Sequence, residues 1–288
     1  MRIIELLNWS TNHLKNQGVD NPRLEAEILL AHCLRINREK LYINLNEFVH
    51  EDDQERFNKL LERRMKGEPI QYILGYKEFW SLELKVNHNV FIPRPETEIL
   101  VEQALLILQK ERDQKEFLIL EIGTGSGAIA ISIAKELKQV SFIATDISFE
   151  AILLAKENAV LAGVDQKIRF INCDLMGPFR FINGGYFDMI ISNPPYIKSS
   201  DIERLPREVK DYEPIWALDG GVDGMDFYRR IIYQTPFYLK RDGWLLLEVG
   251  QGQGEVISEW MRYNNFFKEF QIIKDYSGID RVVKIRKH

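Results

Sequence analysis

The sequence predicts an α/β protein built on a doubly wound, mainly parallel sheet, with a small N-terminal helical domain. Three observations predict it. Residues 1–75 repeat apolar side chains at helical spacing. From about residue 96, short apolar runs alternate with stretches long enough for crossover helices. A glycine-rich turn joins the first of those runs to a helix. A length of 288 residues also suits two domains of about 150 each.

The elements follow in order. Asn21-Pro22 predicts a helix start, with Pro at the first helical position, where its missing N–H costs nothing. Leu24, Ile28 and Ala31 then share one face, widened by Leu30, Cys33 and Leu34. Phe57, Leu60, Leu61 and Met65 repeat the spacing in a second helix. These stripes read as the core of a bundle over residues 1–75. Between Glu68 and Pro95 the alternation Leu82-Glu-Leu-Lys-Val86 predicts a short strand or hairpin, so residues 76–95 are expected to form a β-hairpin linker. Residues 96–288 make the second domain.

Pro95 predicts a helix start whose first turn carries Glu96 and Glu98, complementing the dipole. Strands are predicted over Phe117–Ile122, Val140–Thr145, Ile168–Asn172, Phe187–Ser192 and Trp244–Val249. Their near-continuous apolar character suits a sheet covered on both faces. Ser148 and Gly163 bracket a helix over Phe149–Ala162. Gln271–Lys274 and Arg281–Ile285, separated by a turn, predict a terminal antiparallel pair.

Composition bounds the function. With 45% hydrophobic and 28% charged residues, disorder and a collagen-like fibre are excluded. The balance of 38 Lys+Arg against 43 Asp+Glu, a net −5, argues against coating nucleic acid by bulk charge. Cys33 and Cys173 stand far apart, and His13, His32, His50, His88 and His288 form no ligand spacing with them. No disulfide framework and no metal site are expected, and the thiols read as buried groups in a reducing cytosol. No apolar run approaches the roughly 18 residues of a membrane span, and Glu5 and Asn8 interrupt the initial apolar stretch. A cytoplasmic protein is expected.

Two motifs carry chemistry. Glu121-Ile-Gly-Thr-Gly-Ser-Gly127 follows the first parallel strand, and Asp146 ends the next, 19 residues past Gly127. The glycines permit a tight turn and a close backbone approach to a ligand, while the carboxylate can accept both hydroxyls of a ribose. This predicts a nucleoside-cofactor site. Gly123-x-Gly125-x-x-Ala128 also satisfies the dinucleotide pattern, so the turn alone leaves the cofactor open; a P-loop is excluded.

The second motif, Ile190-Ile-Ser-Asn-Pro-Pro-Tyr196, ends the fourth parallel strand. Two prolines fix φ and remove two donors, giving a stiff, extended corner. The Asn193 side-chain oxygen and the Pro194 carbonyl can face one spot as two acceptors. They suit an NH2 group on a planar carbon, with the Tyr196 ring as a flat apolar face.

These residues together resemble the S-adenosylmethionine-dependent amino-methyltransferases. With Glu68-Pro-Ile-Gln-Tyr72, Phe79-Trp-Ser-Leu82, Phe91-Ile-Pro-Arg-Pro-Glu-Thr-Glu98 and Ser192-Asn-Pro-Pro-Tyr-Ile197, the chain is similar to the peptide chain release factor glutamine methyltransferases (the HemK/PrmC family) over nearly its whole length. The resemblance implies a class I, Rossmann-like methyltransferase fold and S-adenosylmethionine as cofactor. It implies methylation of the glutamine in the Gly-Gly-Gln motif of class I release factors, with residues 1–75 as the substrate-docking domain.

By matching position, Gly123, Thr124, Gly125, Ser126 and Gly127 would border the methionine part of the cofactor. Asp146 would hold its ribose, Asp174 and Leu175 would border the adenine, and Asn193 would also touch the cofactor. Family members often carry an aromatic where this chain has Leu175. Asn193, Pro194, Pro195 and Tyr196 would bind the substrate glutamine, with Asn193, Pro194 and Tyr196 doing the catalytic work.

Three rival readings share parts of this pattern. Adenine's exocyclic amine presents the same two donors, so a nucleic-acid adenine-N6 methyltransferase is the nearest alternative. Against it, residues 1–80 carry 12 basic and 13 acidic side chains with no basic stripe. An NAD-dependent oxidoreductase would leave the Asn-Pro-Pro-Tyr corner without a purpose. A non-catalytic binding module would not need both motifs intact.

Overall fold

The computed structural model describes residues 1–111, 116–181 and 184–288. The chain forms two compact units: Met1–Tyr76 with Pro206–Tyr212, and Lys77–Leu205 with Glu213–His288.

The first unit is helical: α1 (Ile3–Asn16), α2 (Pro22–Leu34), α3 (Arg38–Ile43), α4 (Glu51–Met65) and α5 (Ile70–Leu74). Leu6, Leu7, Leu29, Leu30, Phe57 and Leu61 form its core. The face of α2 is largely the expected one: Leu30, Ala31 and Cys33 are buried, and Ile28 and Leu34 pack partly buried against the core. Leu24 departs from it at 40% exposed, while Ala26 and Leu29, not expected on that face, are buried. Asn21 sits at the N-cap without making a capping bond.

Burying Ala26 on this face draws its neighbour Glu27 inside, where Arg23 (2.8 Å), Arg38 (2.7 Å) and Tyr42 satisfy it. The short return Pro206–Tyr212 belongs to this unit because Arg64, itself buried, reaches Glu208 (2.9 Å) as well as Glu25, and the Tyr212 hydroxyl donates to the Lys66 carbonyl. No local signal in residues 206–212 announced this.

The second unit opens with the hairpin β1 (Tyr76–Phe79) and β2 (Leu82–Lys85), followed by α6 (Thr97–Lys110). The hairpin is fastened to this unit. Phe79 and Leu84 lie in its core, and Asn158 brackets Lys85 with two hydrogen bonds to its backbone (2.8 and 3.0 Å). Helix α6 starts at Thr97, two residues later than Pro95 suggests, with Glu96 at the N-cap and Glu98 in the first turn.

The main sheet uses β3 (Phe117–Ile122), β4 (Val140–Asp146), β5 (Ile168–Asn172), β6 (Phe187–Ser192), β7 (Leu239–Glu248), β8 (Phe267–Lys274) and β9 (Asp280–Lys287). Helices α7 (Ala128–Glu136), α8 (Phe149–Ala162), α10 (Asp226–Gln234) and α11 (Gln253–Arg262) connect them, and α9 (Arg207–Lys210) lies in the return segment. The strand order is β5-β4-β3-β6-β7-β9-β8, parallel except where β9 runs antiparallel to β7 and β8.

The doubly wound, mainly parallel fold is therefore as expected, with longer C-terminal strands. Strand β7 begins at Leu239 rather than Trp244 because a bulge absorbs residues 240–243, whose polar sequence reads as a turn. Ser148 caps α8 through Ala151 N (3.1 Å), and Gly163 closes it with φ +70°. Order reverses between β3 and β6, the switch point where such sheets place ligands.

Candidate active site

Both motifs leave the sheet at that switch point. Ile122 pairs with Ser192 in the β3–β6 register, and the Ser192 hydroxyl donates to the Ile122 carbonyl at 2.7 Å. The glycine turn and the Asn-Pro-Pro-Tyr corner therefore start side by side and line one pocket. Pocket walls come also from Phe91, Pro93, Thr97, Trp216, Leu218 and Phe227.

The turn is shaped by backbone needs. Gly123, Gly125 and Gly127 all have positive φ. A Cβ on Gly127 would come within 2.7 Å of Ile131 Cδ1 and 3.2 Å of Ala155 Cβ, whereas at Gly125 it would meet nothing within 4 Å. The last glycine thus serves helix packing, and the earlier one leaves backbone open to a guest. Asn158 supports the turn from beneath by donating to the Ser126 carbonyl at 2.9 Å.

Asp146 ends β4 against the same turn. Its two oxygens accept from Gly125 N (2.8 Å) and Ser148 N (2.9 Å), so it fixes the loop and keeps its remaining lone pairs for a ligand. Burial pushes its pKa up, against the backbone N–H groups that favour the charge. Glu121 lies behind the loop, fully buried. Thr124 donates to it at 2.6 Å, but its Oε1 has no partner, and burial pushes its pKa up to about 8.

Asp174 and Leu175 line the same pocket after β5. Asp174 pairs with Arg230 of α10, and Leu175 takes a left-handed φ of +49°. Phe227 and Arg230, one helical turn apart, stand across this end. Cys173, expected to be buried, is half-buried and lines the pocket; Cys33 is buried, and both are free thiols.

Asn193, Pro194, Pro195 and Tyr196 all line the pocket. Asn193 Nδ2 donates to the Thr97 hydroxyl at 3.2 Å. The Tyr196 carbonyl accepts from Gln253 Nε2 at 2.9 Å, and burial pushes its phenol up to about 12. The corner is held further by Ile197 N donating to the Leu218 carbonyl (3.0 Å).

The Phe91–Glu98 loop is tied down by a residue far along the chain. Glu213, buried, accepts from Ile92 N (3.2 Å) and pairs with Arg94, whose guanidinium lies 4.5 Å over the Phe91 ring. Every site residue expected from the sequence thus lines this pocket, except Gly127, which sits at its edge as the helix cap. The Phe91–Glu98 loop, expected to help wall the site, does so through Phe91, Pro93 and Thr97. Sequence reasoning missed Glu213, Phe227, Arg230 and Gln253. Among the described residues no group of three or more His, Cys, Asp or Glu could hold a metal ion, and no helix is long and apolar enough to cross a membrane.

Comparison with known proteins follows the same division. Residues 5–75 match the PrmC N-terminal domain family, and residues 96–206 match the methyltransferase small domain family. A release factor glutamine methyltransferase of Geobacter sulfurreducens is 41% identical over 281 residues, covering 98% of this chain and 95% of that one. The protein of the same name from Bacillus cereus is 37% identical, covering 98% of each. Among solved structures, the hMettl16 catalytic domain bound to a MAT2A 3′UTR hairpin superposes with a TM-score of 0.56 at 16% identity, over 72% of this chain and 76% of that one. At that identity the likeness is one of fold.

Proposed function

The chain belongs to the release factor glutamine methyltransferase family, and from that premise we propose that it methylates the side-chain amide nitrogen of the glutamine in the Gly-Gly-Gln motif of class I peptide chain release factors, using S-adenosylmethionine. The observation that carries the reading is the meeting of the glycine turn and the Asn-Pro-Pro-Tyr corner in one pocket.

The pocket's residues fit such a cofactor. Gly123 and Gly125 leave open backbone where side chains would intrude. Asp146 retains acceptor capacity for ribose hydroxyls, and Asp174 with Leu175 would border the adenine. Asn193, at the junction of turn and corner, would touch cofactor and substrate alike. When bound, S-adenosylmethionine supplies a methyl group made electrophilic by its sulfonium.

The chain's own contribution is to orient the nucleophile. An amide nitrogen is a poor nucleophile because its lone pair is delocalised into the carbonyl, the resonance that flattens peptide bonds. Asn193 Oδ1 and the Pro194 carbonyl would accept both N–H bonds, making the nitrogen more electron-rich and aiming its lone pair. Pro195 stiffens the corner, and the Tyr196 ring covers the glutamine's flat face. Alignment of this kind supplies about 7–11 kcal/mol in favourable systems.

The helical unit, residues 1–75, would dock the release factor in the cytoplasm; its near-neutral charge suits a protein partner better than nucleic acid. Incubating a class I release factor with enzyme and S-adenosylmethionine, followed by mass spectrometry, tests the reading. One added methyl on the Gly-Gly-Gln peptide is expected. Methylated adenine in added DNA or RNA, with unmodified release factor, would contradict it.

A further inference from the structure

Pro194 and Pro195 have no N–H to donate, so the scaffold can hold the Asn-Pro-Pro-Tyr corner there only through carbonyls and by packing from behind. Gln253, the first residue of α11, takes hold of it at its last residue. Its Nε2 donates to the Tyr196 carbonyl at 2.9 Å and to the Gly224 carbonyl at 3.1 Å. Its Oε1 accepts from Gly250 N at 2.9 Å and from the Tyr228 hydroxyl at 3.1 Å. That hydroxyl belongs to a fully buried side chain and also reaches the Glu248 backbone carbonyl at 2.9 Å. Two carbonyls at one end of the amide and an N–H at the other admit a single orientation. Both protons and both lone pairs are engaged, so the side chain is fixed.

The space behind the corner is closed as well. Gly220 and Gly250 are buried. A Cβ on Gly220 would come within 2.8 Å of Tyr196 Cα and 2.9 Å of the Pro195 carbonyl oxygen. One on Gly250 would come within 3.0 Å of Tyr196 Cδ2. The corner therefore rests on neighbouring backbone and cannot retreat from the pocket it lines. Gln253 itself does not line that pocket. Its effect on a guest must pass through the corner.

We propose that Gln253 is a positioning residue: by clamping the Tyr196 carbonyl it sets where the Pro194 carbonyl and the Tyr196 ring meet the substrate amide. This rests on the reading of the corner as the grip for the glutamine side chain.

The test measures kcat and KM for a class I release factor on the full-length protein and its Gln253→Glu, Gln253→Met, Gly220→Ala and Asn193→Ala variants. Calorimetry with S-adenosylhomocysteine counts the intact cofactor sites, and kcat is expressed per site. Gln253→Glu keeps the shape but turns an acceptor toward two carbonyls, and Gln253→Met keeps the length but offers no donor. Each should lower kcat per site by about tenfold or more, the scale on which a slightly displaced aligning group costs rate. KM and S-adenosylhomocysteine affinity should change little. Gly220→Ala pushes the same corner from behind and should lower kcat per site likewise.

Wild-type kcat per site in both Gln253 variants, beside an inactive Asn193→Ala, would overturn the proposal and leave the reading of the corner standing. Fewer cofactor sites with an unchanged kcat per site would show that Gln253 serves folding alone, which also overturns it. A fully active Asn193→Ala would overturn the reading beneath it. If neither Gln253 variant folds, Gly220→Ala decides: a wild-type kcat per site there would overturn the proposal.

Discussion

The Ser192 hydroxyl donates to the Ile122 carbonyl at 2.7 Å, joining the ends of the two neighbouring strands from which both functional motifs depart. The bond lies fully buried, so turn and corner share one fixed origin. Ser192→Ala should cost about 1–3 kcal/mol, because a buried carbonyl loses its partner. Urea unfolding checks the stability, and a matching fall in kcat would show that the spacing of the motifs matters.

Asn158 makes three hydrogen bonds, two to the Lys85 backbone and one to the Ser126 carbonyl, at 2.8–3.0 Å. It links the hairpin to the glycine turn. Asn158→Ala should destabilise the protein by about 2–4 kcal/mol by stranding several buried backbone groups. Hydrogen exchange should quicken selectively around residues 80–86 and 123–127.

Gly127 has φ +85° and no room for a Cβ beside Ile131 and Ala155. Gly127→Ala should cost about 1–3 kcal/mol from strain and overlap. Thermal melting and S-adenosylhomocysteine titration should both report the loss, since the displaced helix start carries the turn with it.

Burial raises Glu121 to about 8 from an ordinary 4.5. A carboxyl whose folded pKa is raised binds its proton more tightly in the native state. Its contribution is fully present below about pH 4.5 and is lost as pH rises through about 8. Glu248, pushed to about 7, acts in the same direction. Glu121→Gln cannot titrate, so its stability relative to wild type should improve steadily between pH 5 and 8. A difference that stays flat with pH would contradict the assignment.

Much of the fold was legible because its signals are local. The parallel strands, the glycine turn and the Ser148 and Gly163 caps each announce themselves within a few residues. So do Asp146 and the Asn-Pro-Pro-Tyr corner. What stayed hidden is long-range. Glu213 reaches back to Ile92 and Arg94, 121 and 119 positions away, and nothing in Tyr-Glu-Pro marks it. On α2 only Leu24 was misplaced, because it and Ala26 both fit the helical period at the edge of the apolar face, and packing selects Ala26. Phe227 and Arg230 belong to a helix with an ordinary amphipathic pattern, so their place at the pocket follows from topology alone.

The central claim is that Asn193 and the Pro194 carbonyl grip the substrate amide in this pocket. The most direct measurement is mass spectrometry of a class I release factor after incubation with S-adenosylmethionine and either wild-type or Asn193→Ala enzyme, at matched S-adenosylhomocysteine binding. The wild type should add one methyl group to the glutamine of Gly-Gly-Gln, and the variant should add almost none. Equal methylation by the two enzymes would contradict the account.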